Sequence, residues 1–179
     1  MLFTAEGAED AEKISYLILS YDDILNQRAV ASEISCSFCR GENVNKDLVS
    51  YMELNELTEK IIGCAIDVHK KLGPGFLESV YQAALEYEMK KIRLNFEREK
   101  ILPVKYEEIY LELGFRCDFY VENSVIVECK SVKELTSLDE AQLLNYLKIT
   151  GLPIGLLINF NKEILQKGIK RIVNNLEED

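Results

Sequence analysis

Two short apolar stretches that carry charged residues at alternate positions constrain this chain more than any other feature. They are Phe115–Val121 and Val125–Lys130, separated only by Glu122–Ser124. Alternation with a period of two is typical of half-buried strands, and a short polar link is typical of a turn, so the segment predicts a β-hairpin. A three-residue loop would place Asp118 directly opposite Glu128. A two-residue loop would instead put the two acids on opposite faces of the sheet.

Carboxylates held this close repel each other unless a proton or a cation lies between them. Mg²⁺ suits such a pair because it accepts one or two carboxylates, keeps several waters and binds a phosphate oxygen. Lys130 would project to the same side as Glu128, where it could orient an attacking water and offset charge on a phosphate. The hairpin therefore predicts a metal-dependent site for phosphodiester chemistry. The alternative is a solvated polar face, since Glu-x-Lys is a common pattern and recurs at Glu88–Lys90.

The same alternation predicts which other residues of the first strand share a face. Arg116 and Tyr120 would face the same way as Asp118. The opposite face would be a core face, formed by Phe115, Cys117, Phe119 and Val121.

The order of helical and strand patterns predicts an α/β fold with a mixed sheet flanked by helices. From Leu54 onward the order is α-α-β-β-β-α-β-α. The predicted helices span 54–72, 77–92, 138–149 and 164–176; the predicted strands span 96–104, 109–111 with 115–121, 125–130 and 154–160. Residues 1–51 are predicted to form a helical extension, with short helices over 14–21 and 24–34, and residues 52–179 to form the main domain.

Three polar residues outside the hairpin are further candidates. Gln142 and Tyr146 lie four residues apart on a predicted helix and therefore share a face. Glu78 begins a predicted helix, directly after the breaker Gly73–Gly75. Each has a structural alternative: the margin of an amphipathic helix for Gln142 and Tyr146, and a first-turn acid favoured by the helix dipole for Glu78.

Taken together, these residues resemble a known family. The run Gly75–Tyr81, with Glu78 at its centre, resembles the signature of the GxxExxY proteins, a branch of the PD-(D/E)XK nuclease superfamily. The likeness extends through His69–Gly75, Asp118, Glu128–Lys130 and Gln142–Tyr146, and covers about Leu54 to Leu176. The last of these elements is also similar to the Q-x-x-x-Y element of RecB-like nucleases.

The resemblance implies a restriction-endonuclease-like core that hydrolyses nucleic acid with the help of a metal. By this likeness Glu78, Asp118 and Glu128 are metal-side acids and Lys130 is the catalytic lysine. The residues that would support the site or position the substrate are Gln142, Tyr146, Arg116 and Tyr81. The implied cofactor is Mg²⁺ or Mn²⁺, and the implied partner is nucleic acid, DNA in preference to RNA. Restriction-type domains often act as pairs, so a homodimer is a further expectation.

The chain departs from the family pattern in two places. Cys117 stands where the usual proline precedes the motif aspartate. Residues 1–51 lie outside the likeness, and Met52 stands where such proteins often begin, so we hypothesise that the native start is Met52.

The overall charge favours functions other than a nuclease. The formal net charge is −10, whereas affinity for nucleic-acid backbones comes largely from Lys and Arg that displace counterions. The alternative functions are therefore a catalytically silent module that binds nucleic acid or a protein, and a regulatory protein whose acidic surface contacts a basic partner. No apolar run approaches the ~20 residues of a membrane span, and the first residues are acidic, so a cytoplasmic location is expected.

The cysteines and the single histidine are expected to be structural. An odd number of cysteines without an export signal argues for free thiols. They are Cys36, Cys39, Cys64, Cys117 and Cys129, and the last three fall on apolar faces. His69 is expected near a helix C-terminus rather than as a general base.

Overall fold

The computed structural model describes residues 16–21 and 44–174 of the chain. Within these ranges the helices are α1 (Val44–Leu72), α2 (Glu78–Lys91) and α3 (Ser137–Thr150). The strands are β1 (Tyr16–Ser20), β2 (Phe96–Tyr106), β3 (Ile109–Val121), β4 (Val125–Lys130), β5 (Ile154–Asn159) and β6 (Ile169–Asn174). The predicted α/β class is confirmed.

One mixed sheet organises the described residues. Its strand order is β1-β6-β5-β4-β3-β2, in which β4 and β5 run parallel and every other neighbouring pair runs antiparallel. A parallel pair needs a crossover connection, which α3 provides between β4 and β5. α1 and α2 pack on one face, against Val125, Val127 and Cys129, while α3 packs on the other face against Ile126. Because both faces are covered, β5 is buried along its whole length, as its apolar run predicted.

The β3–β4 hairpin has the predicted register. Val121 pairs with Val125, Tyr120 with Ile126 and Phe119 with Val127. In the three-residue loop between them, Glu122 and Asn123 have φ of 48° and 53°, a left-handed conformation that closes the turn. Continuing this register puts Asp118 opposite Glu128, although the ladder itself ends one pair earlier.

The alternation of faces along β3 breaks at Asp118. Cys117 packs in the cluster on the α3 side of the sheet, whereas Phe119 packs in the cluster beneath α1 and α2. The pairing of β2 with β3 also skips Asp118, and its neighbour Glu99 has a left-handed φ of 53°. The prediction of one core face through Cys117 and Phe119 is therefore wrong, because the strand turns over between them. The prediction that Tyr120 shares a face with Arg116 and Asp118 is wrong for the same reason, since Tyr120 packs on the α3 side whereas Arg116 and Asp118 line a cavity beside α2.

The prediction of a final helix over 164–176 is also wrong. Leu165–Gly168 forms a single 3₁₀ turn, and Ile169–Asn174 is strand β6. β-branched residues such as Ile169 and Val173 favour a strand, and β6 pairs with β5 on one side and β1 on the other. Both faces of β6 carry buried residues, so its apolar positions lack the period of two that would have identified a strand.

The N-terminal extension contributes to the same sheet. Tyr16–Ser20 is an edge strand paired with β6, so the predicted helix over 14–21 is wrong for these residues. Leu19 packs in the core cluster beneath α1. The predicted helix over 24–34 lies outside the described residues. The predicted boundary between residues 51 and 52 falls inside α1, and the division into 1–51 and 52–179 stays a prediction.

Several smaller expectations concern single residues. Cys64, Cys117 and Cys129 are buried free thiols, as predicted, while Cys36 and Cys39 lie outside the described ranges. His69 lies in the last turn of α1, and its Nε2 is 2.7 Å from the Lys162 carbonyl oxygen. In the part of the chain that the structure describes, no helix has both the length and the apolar character needed to cross a membrane.

Gly114 allows β2 and β3 to approach closely at Leu102. A Cβ atom there would lie 2.0 Å from the backbone oxygen of Leu102. Because backbone atoms cannot rotate aside, we expect Gly114→Ala to lower the free energy of unfolding by about 1–3 kcal/mol, measured by urea denaturation. In Gly63→Ala the new Cβ has no neighbour within 4 Å, and this helical control should gain about 0.5–1 kcal/mol. Equal stability of Gly114→Ala and wild type would contradict the steric argument.

Candidate active site

Asp118 lies where β3 separates from β4. Its Oδ2 accepts a hydrogen bond from the backbone N–H of Cys129 at 2.7 Å. It also accepts a hydrogen bond from the side chain of Gln82 on α2. Burial raises the pKa of Asp118, although the Cys129 N–H, the charge of Lys130 and the Gln82 hydrogen bond each lower it. These two hydrogen bonds hold the carboxylate against the end of β4.

Glu128 is the more deeply buried acid, with 3% of its surface exposed. Its Oε1 accepts hydrogen bonds from Lys130 Nζ at 3.1 Å and from Gln142 Nε2 at 3.2 Å. Its Oε2 is buried and has no hydrogen-bond partner among the described residues. Burial and the charge of Asp118 raise the pKa of Glu128 to about 7, although Lys130 and a hydrogen bond from the backbone N–H of Asp118 lower it. A buried carboxylate oxygen without a partner is costly, so Oε2 is suited to a cation or a proton.

Lys130 extends from the end of β4 toward α3, with 13% of its side chain exposed. Its ammonium donates to Glu128 Oε1 and to Gln142 Oε1, the latter at 3.0 Å. Burial alone would lower the pKa of Lys130, but the charge and hydrogen bond of Glu128 outweigh burial and raise it. Lys130 is therefore protonated at neutral pH and held at two points.

Two devices fix the ends of α3, the helix that carries Gln142. At its start the Thr136 hydroxyl accepts from the Asp139 N–H, and the Asp139 carboxylate accepts from the Thr136 N–H, which forms a capping box. At its end Gly151 takes the left-handed φ of 69° that commonly terminates a helix. Gln142 is therefore held in place over β4.

Gln142 and Tyr146 contact each other one helical turn apart, as their spacing predicted. Gln142 Nε2 donates to the Tyr146 hydroxyl as well as to Glu128 Oε1. The Tyr146 ring packs against Phe115, with the ring centroids 5.1 Å apart. Gln142 and Tyr146 thus connect Glu128 and Lys130 to the core on the α3 side of the sheet.

Glu78 is the first residue of α2, where the helix dipole favours an acid. Its carboxylate accepts a hydrogen bond from the backbone N–H of Ser131, directly after β4. Burial raises the pKa of Glu78, the charge of Lys130 lowers it, and the charge of Asp118 raises it. Glu78 is therefore electrostatically coupled to both Asp118 and Lys130.

An open cavity of about 460 Å³ leads to Asp118. It is lined by residues from the start of α2 and from β2 and β3: Leu77, Glu78, Ser79, Gln82, Glu99, Arg116 and Asp118. The Arg116 guanidinium is 65% exposed and lies 3.6 Å from the Glu99 carboxylate. Glu78, Arg116 and Asp118 thus share one cavity, whereas Glu128 and Lys130 lie between β4 and α3.

Tyr81 holds the loop that leads into α2. Its hydroxyl donates to the Gly73 carbonyl at 2.7 Å and accepts from the Phe76 N–H at 3.1 Å. Its ring stacks on Phe160 with the centroids 4.7 Å apart. Because Tyr81 has no exposed surface, it can support the loop before Glu78 but cannot reach a substrate in this conformation.

We expect Tyr81→Phe to lower the free energy of unfolding by about 1–3 kcal/mol, because the carbonyl of Gly73 and the N–H of Phe76 lose their partner. Urea denaturation measures this change. Tyr87 is 64% exposed, and Tyr87→Phe is the matched control, with an expected change within about 0.5 kcal/mol. If the two variants were equally stable, the Tyr81 hydroxyl would have no such role.

Two acids of the site could together bind a magnesium ion. Over residues 16–21 and 44–174, no three His, Cys, Asp or Glu side chains gather into a metal-binding group. Glu78, Asp118 and Glu128 therefore do not form a three-ligand cluster in this conformation. Mg²⁺ needs only one or two carboxylates because it keeps several waters. Asp118 and Glu128 provide that number, and the unpartnered Oε2 of Glu128 is an atom that a cation would satisfy.

Two residues of the site were not predicted from the sequence. Gln82 lies four residues after Glu78, so the helical spacing that linked Gln142 to Tyr146 could also have indicated it. Ser131 carries no comparable signal. Its contacts, with Glu78 and with the backbone oxygen of Phe76, depend on how α2 packs against the end of β4.

Comparisons with known proteins agree with this arrangement. Residues 55–172 match the PD-(D/E)XK nuclease superfamily, and this range includes all the site residues described above. No curated protein and no solved structure matches the chain. The mixed sheet with helices on both faces is consistent with the restriction-endonuclease-like fold of that superfamily. Since the match covers more than half of its length, the chain belongs to the PD-(D/E)XK nuclease superfamily.

Proposed function

We propose that the chain is a metal-dependent nuclease that hydrolyses phosphodiester bonds in nucleic acid. The observation that carries the proposal is the state of Glu128. It is buried near Asp118, Lys130 holds one of its oxygens, and the other has no partner among the described residues. A face that served only solubility would be exposed, whereas buried, mutually coupled charges concentrate at functional sites. Membership of the superfamily supports nuclease chemistry.

Asp118 and Glu128 would hold Mg²⁺ or Mn²⁺, with Glu78 as a further acid on the cavity side. PD-(D/E)XK nucleases typically use divalent metals. A bound divalent ion would supply a Lewis acid that polarises a phosphoryl oxygen and lowers the pKa of water. The raised pKa values of both carboxyl groups are caused first by burial. They support this assignment, because a buried carboxylate is stabilised in its charged form by a bound cation.

Lys130 provides the positive charge that the reaction needs at the phosphate. Its ammonium, held between Glu128 and Gln142, can orient the attacking water and offset negative charge as it builds. Gln142 and Tyr146 keep this group in place from α3. Arg116, exposed in the cavity, would contact the substrate backbone, where guanidinium groups are effective phosphate donors.

The finer assignments rest on the resemblance to GxxExxY and RecB-like proteins, through Gly75–Tyr81 and Gln142–Tyr146. They are DNA as substrate in preference to RNA, and, by likeness to restriction-type domains, action as a pair of copies. The acidic net charge of −10 implies that affinity is set by a few local contacts and by the metal rather than by a basic surface.

Cleavage of labelled DNA and RNA, both single- and double-stranded, with Mg²⁺ or Mn²⁺ tests the proposal. Asp118→Asn, purified in parallel, controls for contaminating nucleases. We expect cleavage by the wild type and none by the variant. Equal cleavage by both proteins, or none by either on any substrate, would refute the proposal. Metal binding without turnover would then favour a catalytically silent binding module.

A further inference from the structure

Asn159 ends β5 beside the residue that carries the positive charge of the site. β4 and β5 run parallel, and Lys130 pairs with Asn159 in their register. The side chain of Asn159 is fully buried. A buried amide needs hydrogen-bond partners. The partners of Asn159 include a residue of the segment that follows Lys130.

The amide of Asn159 bonds to both backbone groups of Val132. Its Oδ1 accepts from the Val132 N–H at 3.1 Å, and its Nδ2 donates to the Val132 carbonyl at 2.8 Å. The same Oδ1 accepts from the Asn161 N–H at 3.2 Å. An amide that bonds to both the N–H and the carbonyl of one residue replaces the backbone hydrogen bonds that a neighbouring strand would make. The chain is thus held for two residues beyond the end of β4.

The held segment, Lys130–Val132, links two parts of the candidate site. At its start the Phe160 N–H donates to the Lys130 carbonyl at 2.8 Å. At its centre Ser131 donates its backbone N–H to Glu78 and its hydroxyl to the Phe76 carbonyl, the latter at 2.6 Å. Asn159 holds the far end of the segment, so the backbone of Lys130 and the contact to Glu78 are both fixed from β5.

We infer that Asn159 is a positioning residue of the active site. By holding Val132 it fixes the Lys130–Val132 segment and keeps the Lys130 ammonium between Glu128 and Gln142. The effect on catalysis rests on the proposed nuclease function, whereas the effect on the Lys130 amine does not. The two effects therefore have separate measurements.

Acetylation of lysine amines, read by peptide mass spectrometry, tests the positioning without a nuclease assay. Lys130 is 13% exposed and hydrogen-bonded at two points, whereas Lys148 is exposed on α3 and serves as the internal standard. We expect Asn159→Ala to raise the rate at Lys130, relative to Lys148, about tenfold, as loss of a hydrogen-bonded restraint would. Asn159→Ser adds no charge and is too short to bond both backbone groups of Val132, so it should raise the rate in the same direction if Asn159→Ala does not fold.

Asn174 is the matched control. It is another buried asparagine, 2% exposed, and its side chain donates to the Leu152 carbonyl at 3.4 Å. It ends β6 beside the start of β5, at the opposite end of the sheet from Asn159. Asn174→Ala should leave the Lys130 rate unchanged. An unchanged Lys130 rate in both folded Asn159 variants, or an equal rise in Asn174→Ala, would overturn the inference.

A double-mutant cycle with Lys130→Met tests the consequence for catalysis. We expect Asn159→Ala to lower kcat about tenfold at unchanged KM, and to have no further effect once Lys130 is replaced. If Asn159→Ala lowered kcat equally in the wild type and in Lys130→Met, Asn159 would have a purely structural role, and the inferred effect on catalysis would be overturned. No cleavage by the wild type would refute the proposed function, while the acetylation rates would still decide how Lys130 is positioned.

Discussion

Replacing Lys130 with methionine is expected to slow cleavage by at least about 100-fold, the loss typical when one preorganised group that stabilises a transition state is removed. Methionine has nearly the length of lysine but neither its charge nor its donors. The ammonium is bonded to both Glu128 and Gln142, and methionine can make neither contact. Single-turnover cleavage of the substrate found in the DNA and RNA screen measures the effect.

The same change leaves the buried Glu128 without its counter-charge, which can destabilise a protein by about 3–5 kcal/mol. Thermal unfolding must therefore accompany the rate measurement. Lys130→Arg keeps the positive charge and should keep the fold, but its planar fork cannot reproduce the geometry of an ammonium, so it too should be slow. Lys133 is exposed three residues further on, and Lys133→Met should cleave like the wild type. Folded Lys130 variants that cleave at the wild-type rate would remove Lys130 from the mechanism.

Asp118→Asn is expected to lose cleavage and yet to be more stable than the wild type when EDTA removes the metal. The charge of Asp118 raises the pKa of Glu128, so the two acids repel each other, and burial raises the pKa of Asp118. At neutral pH the ionised carboxylate therefore costs stability, whereas the isosteric amide oxygen still accepts the Cys129 N–H. Relief of such active-site strain commonly adds about 1 kcal/mol, which corresponds to roughly 3 °C in the melting temperature of a domain of this size.

Addition of Mg²⁺ should reverse the order of stability. A cation that binds the folded wild type raises its melting temperature by mass action, and Asp118→Asn should gain little. Glu122→Gln is the control, since this acid lies in the hairpin loop and bonds to Asn95 rather than to the site. If Asp118→Asn were less stable than the wild type in EDTA, the repulsion argument would be wrong.

The hairpin could be predicted because its information is local. Alternation along two strands and a short polar loop decide the register, and the register alone brings Asp118 opposite Glu128. Gln142 and Tyr146 were found in the same way, since helical spacing decides that they meet. Patterns of this kind depend on neighbours in the chain rather than on the packing of distant elements.

The elements that were missed depend on distant partners. Tyr16–Ser20 is a strand because it pairs with Ile169–Asn174, which in turn pairs with β5. Both faces of β6 are covered, so its sequence does not show a strand's alternation. The turn of β3 at Asp118 lies beside the left-handed backbone of Glu99 on the next strand, and the presence of a glutamate does not predict such a conformation. Asn159 is a similar case, because its partners lie 27 residues away.

The most direct test of the account is calorimetric titration of Mg²⁺ into the wild type, Asp118→Asn and Glu128→Gln. If Asp118 and Glu128 hold the ion together, the wild type should bind Mg²⁺, and each variant should bind it at least about tenfold more weakly, as expected when one of two charged ligands is lost. Mn²⁺ should give the same order. Equal affinity in all three proteins would show that the ion binds elsewhere and would contradict the assignment of this pair as the metal site.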